Sequence, residues 1–219
     1  MSDVPPWLRS LPSPVRIPEE AAAFVDQVGF CTWTPLKRYL ASEGKDDLHF
    51  TKRLYYAKIF TKQASFISLK LLPYFIAAQE RDVFFLYDEG QLTTATKRIY
   101  EFLRENGPTS TRNLRSGTWL SGKENKSAHE RAMDDLLRRF IVCKVGLTGR
   151  TRGKYGYIWD LTDAWLPELA EKASRLERGE AKRVIWRKCE GWGLSLEPAA
   201  LAYIFCWEKS DIGTPAASV

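Results

Sequence analysis

The chain has few of the residues that build metal centres, disulfide frameworks or membrane spans. Only two histidines (His49 and His129) and four cysteines (Cys31, Cys143, Cys189 and Cys206) occur among its 219 residues. The cysteines are far apart and form no CxxC pair, so zinc-ligand spacing is missing and reduced thiols are expected. No stretch approaches the roughly 18 consecutive apolar residues of a membrane helix. The opening segment, MSDVPPWLRSLPSPVR, lacks the basic start and apolar core of a signal peptide. There is no Ser-His-Asp arrangement and no glycine-rich phosphate loop. The expectation is a cytoplasmic protein with no membrane partner, no metal and no cofactor.

What the chain does have is unevenly placed positive charge. Residues 107–155 hold eleven Lys/Arg and four Asp/Glu, a net of +7, whereas the whole chain carries +6. A near-neutral body with one basic quarter points to an anionic partner, and duplex DNA is the partner expected. The charge is densest in VCKVGLTGRTRGKYGYIWDL (142–161). There, two runs of β-formers flank a Gly- and Thr-containing loop, the pattern of a hairpin with strands at 141–147 and 155–161.

Along the chain, four prolines mark residues 1–16 as an extended arm. IPEEAAAFVDQVGF reads as a helix with acids in its first turn and Gly29 as its stop. DDLHFTKRLYYAKIFTK (46–62) reads as a second helix capped by Asp46 or Asp47, and ASFISL as a short strand. SLKLLPYFIAAQE returns to helix. From about residue 89 the order becomes more definite. TTATKRIYEFLRENG is an amphipathic helix ended by Gly107, and STRNLRSG is a shorter helix capped by Ser110. After the polar linker LSGKENK, Ser127 with Glu130 forms a capping box that starts a third helix at Ala128. Ala132, Met133, Leu136, Leu137 and Phe140 give that helix one apolar face. The hairpin follows, and Thr162 caps DAWLPELAEKASRLE. Two more helices, at 181–190 and 197–207, end the pattern. The expected architecture is mainly α with small β-hairpins, a tandem winged helix-turn-helix. Its divisions are 1–16, a winged-helix-like unit at 17–88, a complete winged helix at 89–174, and a helical pair with its tail at 175–219.

FVDQVGFCTW, YYAKIFTKQASFISLKLLPYF, RIYEFLRENGPTSTRNLR, LLRRFIVCKVG and YIWDLTDAWLPE resemble the proteins related to the AlkZ/YcaQ superfamily of DNA glycosylases. The resemblance runs from about residue 18 to 207 and is most specific over 98–115 and 136–167. It implies tandem winged helices, excision of alkylated bases and unhooking of crosslinks. It also implies a catalytic Gln-x-Asp or Gln-x-Gln motif ahead of the main winged helices. That motif is absent: two positions beyond Gln27, Gln63, Gln79 and Gln91 stand Gly29, Ser65, Arg81 and Thr93. Glu19, Glu20 and Asp26 are the carboxylates near the implied active-site region, and such groups also serve to charge a helix terminus.

The expected DNA contacts are Arg150, Arg152 and Lys154 on the hairpin tip, where long cations reach phosphates. Arg112, Arg115, Lys123, Lys126 and Arg131 join them along the second helix, the linker and the start of the third. Asp134 and Asp135 restrict the approach to that helix's first turn, and Arg138 and Arg139 are expected to pair with them. Trp119, in polar surroundings, is a candidate exposed aromatic, whereas Trp159 and Trp165 read as packing residues. The leading reading is a non-catalytic DNA-binding protein linked to repair. Its alternatives are a glycosylase with non-standard catalytic residues and a protein-interaction adaptor.

Overall fold

The computed structural model describes residues 18–36, 44–58, 63–151, 155–191, 197–205 and 207. They fall into two compact units, one formed by Met1–Ala78 with Ala173–Val219, the other by Gln79–Lys172.

The first unit opens with α1 (Pro18–Val28), whose first turn carries Glu19 and Glu20. Ala21, Ala22 and Val25, spaced for one helical face, are fully buried. Gly29 ends α1 with φ +93, and a Cβ there would sit 3.0 Å from Leu71 Cδ2. There follow β1 (Phe30–Thr32), α2 (Trp33–Leu36), α3 (Gly44–Phe50), β2 (Leu54–Lys58), β3 (Ala64–Ser68) and α4 (Leu72–Ala77). The three strands form an antiparallel sheet in the order β1-β3-β2.

The single helix expected over 46–62 does not form. α3 ends at Phe50, Lys52 takes φ +55, and the chain reverses into β2. Residues 59–62 lie outside the described residues. The apolar run misled because Leu54, Tyr55, Tyr56 and Ala57 are buried on both faces of the sheet, which leaves no alternation for a strand to show. His49 fixes the corner. Its Nδ1 accepts the Tyr56 N–H at 3.1 Å, and its ring meets Tyr55 edge-on at 5.3 Å.

The second unit begins with α5 (Val83–Asp88), which the sequence reading missed. Its signal is Asp82, whose carboxylate accepts the N–H groups of Phe84 and Phe85, both at 3.0 Å. Then come α6 (Thr94–Asn106), β4 (Thr109–Ser110), α7 (Thr111–Gly117), α8 (Lys126–Arg138), β5 (Val142–Leu147), β6 (Tyr157–Leu161), α9 (Thr162–Trp165) and α10 (Pro167–Ser174). Ser110 caps α7 through the Asn113 N–H, and Gly107 at φ +69 stops α6. The strands pair antiparallel in the order β4-β6-β5, and the register slips between Lys144 and Gly146. Ile99, Leu103, Leu114, Ala132, Met133, Leu136, Val142 and Trp159 pack into one core.

Two boundaries differ from expectation. α8 starts at Lys126, with Asn125 as a cap whose side chain accepts no helix N–H and donates instead to Ser121 O at 2.9 Å, so Ser127 and Glu130 lie inside the helix. The linker supplies the missing acceptors from its backbone: Lys123 O takes the Lys126 N–H and Asn125 O takes the His129 N–H. Glu130 faces Lys126 at 3.8 Å instead of closing a capping box. Further on, Thr162 is the first residue of α9 and not its cap, and the helix breaks at Leu166 before Pro167. The residue before a proline is driven out of the helical region, so one expected helix becomes two.

Both units share an element order: helix, strand, helix, helix, strand, strand, with the last strand in the middle of the sheet. The first unit is completed by α11 (Arg178–Glu190) and α12 (Pro198–Phe205). Glu177 caps α11 by accepting the Gly179 and Glu180 N–H groups, which hold its carboxyl below the usual range. Phe205 of α12 sits edge-on to Phe30 at 5.6 Å and to Phe75 at 5.7 Å. Cys31, Cys143 and Cys189 are free and buried, and burial pushes the thiols of Cys31 and Cys189 up to about 12.

Candidate nucleic-acid interface

A groove of about 670 Å³ opens in the second unit where α7, the α7–α8 linker and the loop end of the β5–β6 hairpin meet. Its walls include Thr111, Arg112 and Arg115 from α7, Ser121 and Gly122 from the linker, and Thr148 and Tyr155 from the hairpin. One hydrogen-bonded chain holds α7 against the hairpin. Trp159 Nε1 donates to Thr111 Oγ1 at 2.8 Å, and the Thr111 hydroxyl donates to the Tyr157 carbonyl at 3.2 Å. The hairpin's aromatics then form a ladder. Trp159 is 8% exposed and meets Tyr157 edge-on at 5.7 Å, and Tyr157 meets Tyr155 at 5.4 Å. Lys144 Nζ covers the Tyr157 ring at 3.9 Å.

The sequence-expected cations take different positions. Arg112 is exposed at the groove and has no hydrogen bond or ion pair among the described residues. Arg115 serves as a brace: its Nε donates to Leu120 O at 3.1 Å and its Nη2 to Gly122 O at 2.7 Å, fixing the linker. Lys123 on the linker and Arg131 on α8 are exposed. Lys126 is exposed too and faces Glu130 in a solvated pair of the kind that contributes little. Arg150 is exposed beside the hairpin tip, and Arg152 and Lys154 lie outside the described residues. Arg138 pairs with Asp135 as expected. Arg139 donates to Glu80 O at 3.2 Å, on the segment before α5.

The carboxylates of the first unit have local duties. Glu19 and Glu20 are exposed on the first turn of α1, and Asp26 accepts the Ser68 hydroxyl. Trp119 is 76% exposed with φ +56, and the Arg98 guanidinium lies 5.5 Å from its ring centre. Sequence reading missed two features of the groove. Tyr155 had a signal, since residues 155, 157 and 159 fall on one face of a strand. The bracing role of Arg115 had none, because it depends on where a loop's carbonyls come to rest.

His129, on the first turn of α8, is 7% exposed, and its Nε2 is buried with no hydrogen-bond partner among the described residues. Burial holds its pKa below 6.5, Arg115 pushes it the same way, and Glu130 opposes them. The neutral form therefore favours the folded state. That contribution is complete above the unfolded value and is lost as pH falls through the lower folded value. Stability in urea is expected to drop between pH 7 and pH 5. His129→Leu is expected to flatten that dependence and raise stability by about 1 kcal/mol through removal of the unsatisfied nitrogen. A variant that keeps the wild-type pH slope would assign it to other groups.

Among the described residues no helix is long and apolar enough to cross a membrane, and no group of three or more His, Cys, Asp or Glu could hold a metal ion. Fold and site define a mainly α protein with two small antiparallel sheets and a cationic, aromatic-edged groove. The chain belongs to the AlkZ-related family, whose profile matches residues 43–205. Membership ties it to the glycosylase-like proteins of DNA repair. Glu19, Glu20 and Asp26 lie outside the matched range. No curated protein and no solved structure matches the chain.

Proposed function

We propose that the protein binds duplex DNA in a DNA-repair setting and does not excise bases. In this reading both units are winged helix-turn-helix modules, since each has the element order and sheet order of that fold. The second unit grips the duplex with α7 and α8 as the helix pair and β5–β6 as the wing. The observation that carries the reading is the set of exposed cations in the second unit, Arg112 at the groove with Lys123 on the linker, Arg131 on α8 and Arg150 after β5, in a unit whose basic segment outweighs the charge of the whole chain. Arginine and lysine in this arrangement bind the phosphate backbone and set register without reading sequence.

Family membership favours a second reading, base excision. Against it stand the missing glutamine motif and the local duties of the carboxylates. Excision needs a group that stabilises the sugar cation or positions water in a dry pocket. Glu19 and Glu20 are exposed, and Asp26 is held by Ser68.

Binding is tested by fluorescence anisotropy with labelled duplex, and excision by incubating excess protein with duplex carrying 7-methylguanine or a nitrogen-mustard crosslink, followed by alkali. The expected result is salt-dependent binding with no strand breaks. Breaks that vanish in Asp26→Ala or Glu20→Ala would install the enzyme reading. Absence of any DNA binding would leave the adaptor reading.

A further inference from the structure

We infer that the groove beside the hairpin takes an unpaired nucleotide, with its base stacked on Tyr155 and its phosphate held by Arg112. The inference rests on the DNA-binding reading above and specifies the form of DNA that the site prefers.

Four observations carry it. The groove is open to solvent and its volume, about 670 Å³, is enough to seat a nucleotide. Among the described residues its lining contains two arginines, several hydroxyls and no carboxylate, so it suits an anion with hydrogen-bonding groups. The Glu124 carboxyl stands next to Gly122 on the linker side. Arg115 is already held by two linker carbonyls, which leaves Arg112 as the cation that meets the ligand. Finally, the Tyr155 ring is 49% exposed at the groove, and it is oriented by Tyr157, to whose hydroxyl its own donates at 2.8 Å.

An exposed aromatic ring lining the same groove as a cation fits a planar aromatic ligand that carries a negative charge. Every nucleotide has both parts. A continuous duplex hides its base faces in the stack, so only an unpaired nucleotide can offer one to Tyr155. Such a nucleotide could come from a single strand or from a bulge or gap within a duplex. The stacking chemistry is the same in either case.

The experiment compares affinities of the full chain for an intact duplex, the same duplex with one bulged 2-aminopurine, and the corresponding single strand. Base–aromatic stacking predicts that the bulged duplex binds about tenfold tighter than the intact one. Tyr155→Leu is expected to bring that ratio close to one, while Tyr155→Phe, which keeps the ring and loses the hydroxyl, preserves it. Quenching of 2-aminopurine should follow the same order. Circular dichroism of both variants checks that the hairpin has folded.

A single strand that binds as tightly as the bulged duplex would mean the nucleotide alone suffices. A weaker single strand would mean that flanking helix is also held. Both outcomes support the site. Equal affinity for bulged and intact duplex, or a ratio unaltered in Tyr155→Leu, overturns the inference and leaves duplex binding standing. Failure to bind any of the three overturns both.

Discussion

Replacing Arg150, Arg152 and Lys154 together with alanine is expected to weaken duplex binding and make it less sensitive to salt. Each phosphate contact releases condensed counterions, and its loss lowers the slope of log affinity against log salt by roughly 0.9. Three such contacts account for about a forty-fold change in affinity between 50 mM and 200 mM salt. The variant should therefore lose most against wild type at low salt and approach it at high salt. Arg150 is exposed and is not part of the core, so the fold should not change. Titrations at several salt concentrations measure the slope directly. An unchanged slope would reduce the basic loop to a solvated turn and move the grip to α7 and the linker.

A large loss of stability in the second unit is expected from Trp159→Ala. The indole is almost wholly buried in the core and also donates the hydrogen bond that fastens α7 to the hairpin. Truncating a buried tryptophan costs about 3–5 kcal/mol from lost packing and the cavity left behind. Trp159→Phe retains most of the packing and loses the bond to Thr111, a change of about 1 kcal/mol. Urea unfolding of the two variants separates the contributions. A loss below roughly 1.5 kcal/mol for Trp159→Ala would mean that the surrounding side chains close over the gap. Because Thr111 and Tyr155 both line the groove, Trp159→Ala should also weaken binding more than any single surface charge does.

The parts of the fold legible in the sequence were those with local punctuation. Gly29 and Gly107 stopped α1 and α6, Ser110 capped α7, and the apolar period of α6 and α8 matched one buried face. The hairpin showed itself because its loop breaks two runs of β-formers. What failed needed tertiary information. Leu54–Ala57 read as helix because both sheet faces are covered there, and the capping box at Ser127 lost to acceptors supplied by a linker whose turn no propensity describes. For the candidate site, charge revealed Arg112 and Arg115 but could not separate them. One faces open space and the other ties down a loop, a distinction made only by the carbonyls of Leu120 and Gly122.

The interrupted pairing of β5 has a consequence for solubility. In the order β4-β6-β5, β4 is two residues long and β5 is the long outer strand. A regular outer strand presents a row of unpaired donors and acceptors on which another copy can zip, the first step toward aggregation. The slip between Lys144 and Gly146 breaks that row and adds local twist, and the buried Lys144 places a charge within the same strand. A hairpin that has to stand out from its unit is thereby kept from serving as a template for its neighbours.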